Sequence, residues 1–146
     1  MTYGKTMARY QKTSVETARD IDLVIMCYEK AIQSLTQAQS HYEKDEFEEK
    51  AKKLQKALDI ITHLQGCLNF EKGGQIARNL DALYTYMNKR MLEADIKHDP
   101  EGFCDVIKIM DELKGAWEEI SSQPENGVAD MHGDAPMKTR AAGLAA

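Results

Sequence analysis

Residues 68–84 read LNFEKGGQIARNLDALY, in which two adjacent glycines precede an amphipathic helical pattern. Gly73 and Gly74 predict a reversal of the chain at this point, because glycine reaches positive φ without steric cost. The apolar residues that follow recur at intervals of three and four: Ile76, Leu80, Leu83, Met87, Met91 and Ala94. This spacing places them on one face of a helix, and we expect that helix to end before Asp99-Pro100.

Three further segments show the same periodicity. One runs from about residue 15 to 40, one from about 45 to 67, and one opens at Asp99-Pro100 and continues to about 120. Asp45 is predicted to cap the second of these, with Glu48 reaching back. The apolar stripe of that segment consists of Phe47, Ala51, Leu54, Leu58, Ile61 and Leu64. Four amphipathic helices joined by short turns predict an all-α fold, an antiparallel up-down four-helix bundle.

The ends of the chain differ from this pattern. Residues 1–16 carry scattered apolar side chains without clear periodicity, so we interpret them as an N-terminal arm. Residues 122–146 change to a composition of small and polar residues with two prolines, which predicts a flexible, disordered C-terminal tail. The predicted organisation is therefore one domain over residues 1–121, followed by the tail.

Composition narrows the classes of function. The formal net charge is −5, and acidic and basic residues are interspersed, so nucleic acid is not an expected partner. The sequence contains neither an apolar run of about 20 residues nor the apolar core of a signal peptide, which favours a cytoplasmic protein without membrane insertion. The cysteines are Cys27, Cys67 and Cys104, an odd and widely spaced set that we interpret as reduced thiols.

Two functions known for helical bundles are alternatives to a simple reading of the polar residues as solvated surface. A dinuclear metal site requires two Glu-x-x-His pairs, and the partial matches are Asp95 with His98 and Asp59 with His63. A histidine phosphotransfer module using His63 is an alternative, although Gln65 stands where a lysine would help to hold the phosphoryl group. No nucleophile–base pair, phosphate loop or cofactor motif is recognisable, so catalysis is not expected.

Three blocks of sequence, taken together, resemble a known family. They are the arm with Tyr10-Gln11 leading to Val15–Ala18, the block Leu23–Ile32 and the block Leu68–Tyr86, and Leu113 with Ala116-Trp117 closes the pattern. Together they are similar to the flagellin export chaperones of the FliS family, over roughly residues 1–121. One departure is the absence of the proline often found at the entry to the first long helix.

The resemblance implies a non-enzymatic cytoplasmic chaperone without metal or cofactor. Such a chaperone binds the C-terminal segment of flagellin, prevents premature polymerisation and presents the subunit to the flagellar type III export apparatus. The resemblance further implies that the arm, through Tyr3, Met7 and Tyr10, covers part of the client site. The candidate groove residues are Ile60, Leu64, Ile109, Leu113 and Trp117. The sequence leaves the choice between a monomer and a homodimer open.

Overall fold

The computed structural model describes residues 20–123, and they form four α-helices. The helices are α1 (Asp20–Glu43), α2 (Phe47–Gly66), α3 (Phe70–Ile96) and α4 (Glu101–Ser121). The predicted four-helix fold is therefore confirmed. The predicted start of the first helix near residue 15 lies outside the described residues.

The helices form a closed ring of neighbours. Helix α1 packs against α2 and α4, and α3 packs against the same two helices. Since each connection is short, consecutive helices run antiparallel, and α1 lies diagonally across the bundle from α3. The α1–α2 and α3–α4 turns share one end of the bundle, and the α2–α3 turn lies at the other. Within residues 20–123, no helix is both long and apolar enough to cross a membrane.

The α1–α2 turn corrects the predicted helix cap. Asp45 has a φ of 59°, so it forms part of the turn and does not cap α2. Helix α2 begins after Glu46, whose side chain makes no capping hydrogen bond. Instead, Glu46 Oε1 lies 2.8 Å from His41 Nδ1 across the turn. Asp tolerates the left-handed conformation better than most residues, which explains an acidic residue at this position.

The glycine pair does not mark the reversal of the chain, and that prediction is wrong. The chain turns at residues 67–69, where the Asn69 side chain accepts a hydrogen bond of 2.9 Å from the backbone N–H of Lys72 and caps α3. Gly74, with φ 53° and ψ −130°, produces a kink inside the helix. The positive φ predicted for the glycine pair is thus present at Gly74, but it redirects the chain after the first turn of α3 and does not make the reversal itself.

Helix α4 begins at Glu101, directly after the Asp99-Pro100 pair at which it was predicted to open. Pro100 stands immediately before the helix, and Asp99 Oδ1 accepts a hydrogen bond of 3.2 Å from the backbone N–H of Glu101. Asp99 therefore satisfies one of the free amides of the first turn.

A hydrogen bond between two tyrosines lies at the centre of the core. Tyr28 on α1 and Tyr84 on α3 are fully buried, and their hydroxyl oxygens are 2.6 Å apart. Burial raises the pKa of Tyr28 to about 12, although hydrogen bonds with Tyr84 and Trp117 act in the opposite direction. Burial likewise raises the pKa of Tyr84 well above its ordinary value. Both tyrosines therefore remain neutral at physiological pH and bind α1 to its diagonal neighbour.

Apolar side chains from all four helices form the rest of the core. The largest fully buried ones, apart from the two tyrosines, are Trp117, Phe103, Ile21, Leu35, Ile61, Met87, Met91, Met110 and Val106. The predicted stripe of α2 is wrong at its N-terminal end, because Phe47 is 48% exposed and Ala51 is also exposed. Ala57, which the predicted stripe omitted, is buried in their place.

Polar contacts between helices set the positions of the helices relative to one another along the bundle axis. Asn88 Nδ2 donates to Thr62 Oγ1 over 3.1 Å, and Gln65 Nε2 donates to Thr85 Oγ1 over 2.7 Å, which sets α3 against α2. Arg90 Nη2 donates to Asp105 Oδ2 over 3.0 Å and sets α3 against α4. These contacts determine which surface residues face each other across each groove.

The buried tyrosine pair predicts alkaline destabilisation. In the unfolded chain both hydroxyls titrate near pH 10, roughly their free value, whereas the native state holds its protons to higher pH. The free energy of unfolding should therefore be unaffected by these groups below about pH 10 and fall above it by up to about 1.4 kcal/mol per pH unit for each tyrosine. Urea denaturation between pH 8 and 11.5 measures this slope. The double variant Y28F/Y84F should show a shallower slope, and parallel curves would contradict the assignment.

Gly102 marks a close approach of α4 to α3. A Cβ added at Gly102 would lie 2.4 Å from Ala94 Cβ and 3.0 Å from Arg90 Cζ, whereas one added at Gly115 meets nothing within 4 Å. Gly102→Ala should therefore lower the free energy of unfolding by about 1–3 kcal/mol through overpacking. The matched control Gly115→Ala, on the same helix, should raise it by about 0.5–1 kcal/mol. Chemical denaturation checks both, and equal effects would contradict the close approach.

Candidate functional site

The predicted binding residues occupy three kinds of position. Tyr3, Met7 and Tyr10 lie outside the described residues. Leu64 and Trp117 are buried, with exposures of 2% and 0%. Ile60, Ile109 and Leu113 are half-buried against the outside of the core. Only this last group offers apolar surface to a partner, while Leu64 and Trp117 support the helices beneath it.

Ile109 and Leu113 lie on the edge of α4 that faces α3. They are four residues apart, one turn of helix, and Ile109 follows Asp105 by one turn on the same side. Because Asp105 is bonded to Arg90, the helical rise places Tyr86 and Leu83 of α3 opposite them. We name this set the α3/α4 groove: Leu83, Tyr86, Ile109 and Leu113. Tyr86 is 48% exposed and the other three are half-buried, so these side chains leave part of their apolar surface accessible.

Ile60 lies on a different edge of the bundle. Gln65 and Thr62 mark the side of α2 that contacts α3, and helical spacing puts Ile60 on the opposite side, towards α1. Burial lowers the pKa of Lys56 on this edge, with smaller contributions from Lys53 and from Lys30 of α1. We name Ile60 with the half-buried Cys27 and Cys67 the α1/α2 groove.

The two grooves lie on opposite edges of the bundle. In a ring with the order α1, α2, α3, α4, the α1/α2 and α3/α4 edges do not adjoin each other. The structure therefore brings Ile109 together with Leu113 but separates both from Ile60. A single short helix cannot occupy both edges, whereas a longer extended segment that passes around the bundle can contact both.

Two residues of the α3/α4 groove, Leu83 and Tyr86, were not among the predicted binding positions. Leu83 belongs to the predicted core stripe of its helix but is only half-buried, and the neighbouring Tyr84 is the fully buried residue. The available signal is that Tyr84 follows Leu80 and Ala77 at intervals of four and seven, which favours Tyr84 as the inward position.

The thiols of the α1/α2 groove are poorly suited to nucleophilic chemistry. Burial raises the pKa of Cys27, and the neighbouring Cys67 raises it further. Burial also raises the pKa of Cys67, whose Sγ lies 3.7 Å from His63 Nε2. A raised pKa keeps the thiol protonated at neutral pH, and the thiolate is the reactive form. These cysteines therefore contribute apolar surface to the groove.

His98, Asp95 and Gln65, three of the residues named for a metal site or for phosphotransfer, make polar contacts with other parts of the bundle. His98 Nδ1 lies 2.7 Å from the Tyr42 hydroxyl, and Asp95 pairs with Lys50. Gln65, two residues after His63, donates to Asp81 and Thr85 of α3. In the part of the chain that the structure describes, no group of three or more His, Cys, Asp or Glu side chains is placed to hold a metal ion.

The fold and these surfaces define a class: small all-helical bundles that carry apolar grooves between neighbouring helices. Comparison with known proteins gives the family. A family model described as "Flagellar protein FliS" matches residues 3–124. The chain therefore belongs to the FliS family, and the resemblance inferred from the sequence is confirmed.

Individual relatives agree with this family assignment. The chain is 38% identical over 125 residues to the flagellar secretion chaperone FliS of Vibrio cholerae serotype O1, an alignment that covers 83% of this chain and 92% of the relative. It is 34% identical over 121 residues to the flagellar secretion chaperone FliSB of Pseudomonas aeruginosa, covering 80% and 96%. It is 30% identical over 124 residues to FliS of Bacillus subtilis, covering 85% and 90%.

The difference between groove and core residues predicts different costs of substitution. Trp117→Ala removes the largest buried side chain and should lower the free energy of unfolding by about 3–5 kcal/mol. Ile109→Ser removes a half-buried side chain at the edge of the same helix and should cost about 1 kcal/mol. Urea denaturation at neutral pH measures both. Equal destabilisation by the two substitutions would place Ile109 in the core and not in a groove.

Proposed function

We propose that this protein is a cytoplasmic, non-enzymatic export chaperone that binds the C-terminal segment of flagellin. In this role it prevents premature polymerisation and delivers flagellin to the flagellar type III export apparatus. Membership of the FliS family, whose relatives bear the name flagellar secretion chaperone, supports the export role. The observation that carries the client-binding role is the set of half-buried apolar side chains on two opposite edges of the packed bundle.

The position of the grooves favours an unfolded client. An amphipathic segment docks by placing its apolar side chains into a groove between helices. Because the α1/α2 and α3/α4 grooves face away from each other, one client reaches both only as an extended chain with short docked portions. Coupled folding and binding of such a segment buries roughly 1,000–3,000 Å² and loses several kcal/mol to ordering. The chaperone then holds its client by surface burial alone, without chemistry.

The N-terminal arm adds a means of regulation. Tyr3, Met7 and Tyr10 combine large apolar area with polar or adaptable ends, which suits reversible contact with an apolar groove. An arm that occupies a groove in the free protein lowers the apparent affinity for the client by the fraction of time for which the groove is open. The arm would thus reserve the site for a client able to displace it.

Titration calorimetry tests client binding directly. The full-length chain, titrated with the isolated C-terminal segment of flagellin, should bind saturably with a negative heat-capacity change, because apolar surface is buried. Helix content measured by circular dichroism should rise on mixing if portions of the client dock as helices. A well-folded chaperone that does not bind the segment would overturn the proposed client.

Substitutions in the α3/α4 groove should weaken client binding selectively. Ile109→Asp and Leu113→Asp place charge on the apolar surface, and each should raise the dissociation constant at least about tenfold, which corresponds to about 1.4 kcal/mol. Leu92→Asp is the matched control, because Leu92 is 46% exposed and lies on the α2/α3 edge away from both grooves. Equal effects at Ile109 and Leu92 would argue against a specific groove.

Removal of residues 1–12 should change the affinity for flagellin without unfolding the bundle. If the arm competes with the client for a groove, its deletion should raise the affinity for flagellin. Calorimetry gives the affinity, and circular dichroism with thermal melting gives the folded state. Loss of the cooperative thermal transition in the truncated protein would show that the arm belongs to the fold and is not a separable cap.

A further inference from the structure

The α1/α2 groove carries a cluster of positive charge, in a chain whose formal net charge is −5. Lys53 and Lys56 lie one turn apart on the side of α2 that faces α1, the side that also carries Ile60. Lys30 of α1 joins them from across the groove. It stands 13 residues before the end of α1, and Ile60 stands 13 residues after the start of α2, so the helical rise puts the two at one level. We name Lys30, Lys53 and Lys56 the lysine cluster.

The three lysines lie close together on a surface that is only partly open to solvent. Each of the three side chains is half-buried. Burial lowers the pKa of Lys56, and the positive charges of Lys53 and Lys30 lower it further. Like charges held together on a half-buried surface repel one another, and a negatively charged occupant of the groove would relieve that repulsion.

The carboxylates of α1 and α2 lie away from the middle of this edge. Asp22 and Glu29 contact side chains of α4 over 2.9 and 3.9 Å. Asp59 accepts a hydrogen bond of 2.8 Å from Gln55 on the outer side of α2. The other carboxylates of the two helices and their turn lie at or near helix ends: Asp20, Glu43, Asp45, Glu46, Glu48 and Glu49. The groove around Ile60 is therefore apolar and has a cationic rim.

Two segments of this chain lie outside the described residues, and their charges differ. Residues 125–134 read ENGVADMHGD, with three acidic side chains, no Lys or Arg, and the apolar Val128 and Met131 three residues apart. The N-terminal arm, residues 1–16, instead carries three basic side chains and one acidic. Complementarity of charge therefore favours the C-terminal segment over the arm as the occupant of a groove with a cationic rim.

The C-terminal segment starts close enough to reach this groove. Ser121 ends α4 beside the first turn of α1, since its Oγ donates to Asp22 Oδ1 over 2.9 Å. Lys30 lies eight residues, about 12 Å, further along α1, and the groove is offset from α4 by about one helix width, roughly 10 Å. An extended chain advances about 3.3–3.6 Å per residue, so the first seven residues beyond the described part can carry Asp130 about 23–25 Å. Four further residues bring a second carboxylate, Asp134, within reach of the lysines of α2.

We propose that residues 125–134 dock in the α1/α2 groove of their own chain, with Asp130 and Asp134 against the lysine cluster and Val128 and Met131 against Ile60. Attachment to α4 supplies a high effective concentration, so the contact forms without a high intrinsic affinity. The docked segment covers part of the apolar surface of this groove in the free protein. In the function proposed above, a client that uses this groove would displace the segment. The docking itself does not depend on the identity of the client.

Nuclear magnetic resonance of the full-length, isotope-labelled chain tests the docking without any client. The amide shifts of residues 125–134 should differ from those of a synthetic peptide of residues 122–146, and the difference should not change with protein concentration. In 1 M NaCl, where the Debye length falls to about 3 Å, the shifts should move towards those of the peptide. Shifts that equal those of the peptide at low salt would overturn the proposal.

A charge reversal on α2 tests the role of the lysine cluster. Lys56→Glu should reduce the shift difference of residues 125–134 by at least about half, because it replaces attraction by repulsion. Lys52→Glu is the matched control, since Lys52 is one turn earlier on the same helix, is 62% exposed and pairs with Glu48 and Glu49. This control should leave the shifts unchanged, and circular dichroism confirms that both variants are folded. Equal effects of the two substitutions would overturn the lysine cluster as the docking site.

Substitutions in the segment itself test the same contact without altering the bundle. The double variant D130N/D134N should move the amide signals near Ile60 and leave those of Ile109 and Leu113, in the other groove, unchanged. Movement at Ile109 and not at Ile60 would place the segment in the α3/α4 groove and overturn the proposal. A shift difference in the wild-type segment that grows with protein concentration would show that it binds a second copy of the chain, which likewise overturns docking within one chain.

Discussion

The hydrogen bond between the hydroxyl groups of Tyr28 and Tyr84 is the constraint on which the rest of the bundle depends. It joins α1 and α3, the diagonal pair, at 2.6 Å in a site without solvent exposure. A buried hydroxyl that loses its partner carries a large desolvation penalty, so this pair fixes the distance across the bundle. Trp117 and the methionines of α3 and α4 then fill the space that remains around it.

Because the core is completed by these large side chains, the residues at the helix edges are left half-buried. Leu83, Ile109 and Leu113 rest against the core without being needed to close it. A protein built in this way can present apolar surface to a client without unfolding. In the function proposed above, client binding and folding would draw on different sets of side chains.

The polar contacts between helices determine how these surfaces are combined. Arg90 with Asp105 aligns the two sides of the α3/α4 groove, and Asn88 with Thr62 aligns α3 with α2. A shift of one helical turn in either register would separate the apolar residues from one another. Each edge of the bundle therefore carries its own combination of apolar and polar side chains.

The sequence by itself determined the number of helices, their approximate bounds and the family. These follow from local periodicity and from motifs that do not depend on the partner helix. Tertiary structure decided the rest. Three predictions were wrong: that Asp45 caps α2, that the chain reverses at Gly73-Gly74, and that Phe47 is buried. Each of them depends on the direction in which the chain enters a packed helix. The separation of Ile60 from Ile109 could not be predicted either. Both belong to helices with the same apolar periodicity, and each can be assigned to an edge of the bundle only when the ring order of the helices is known.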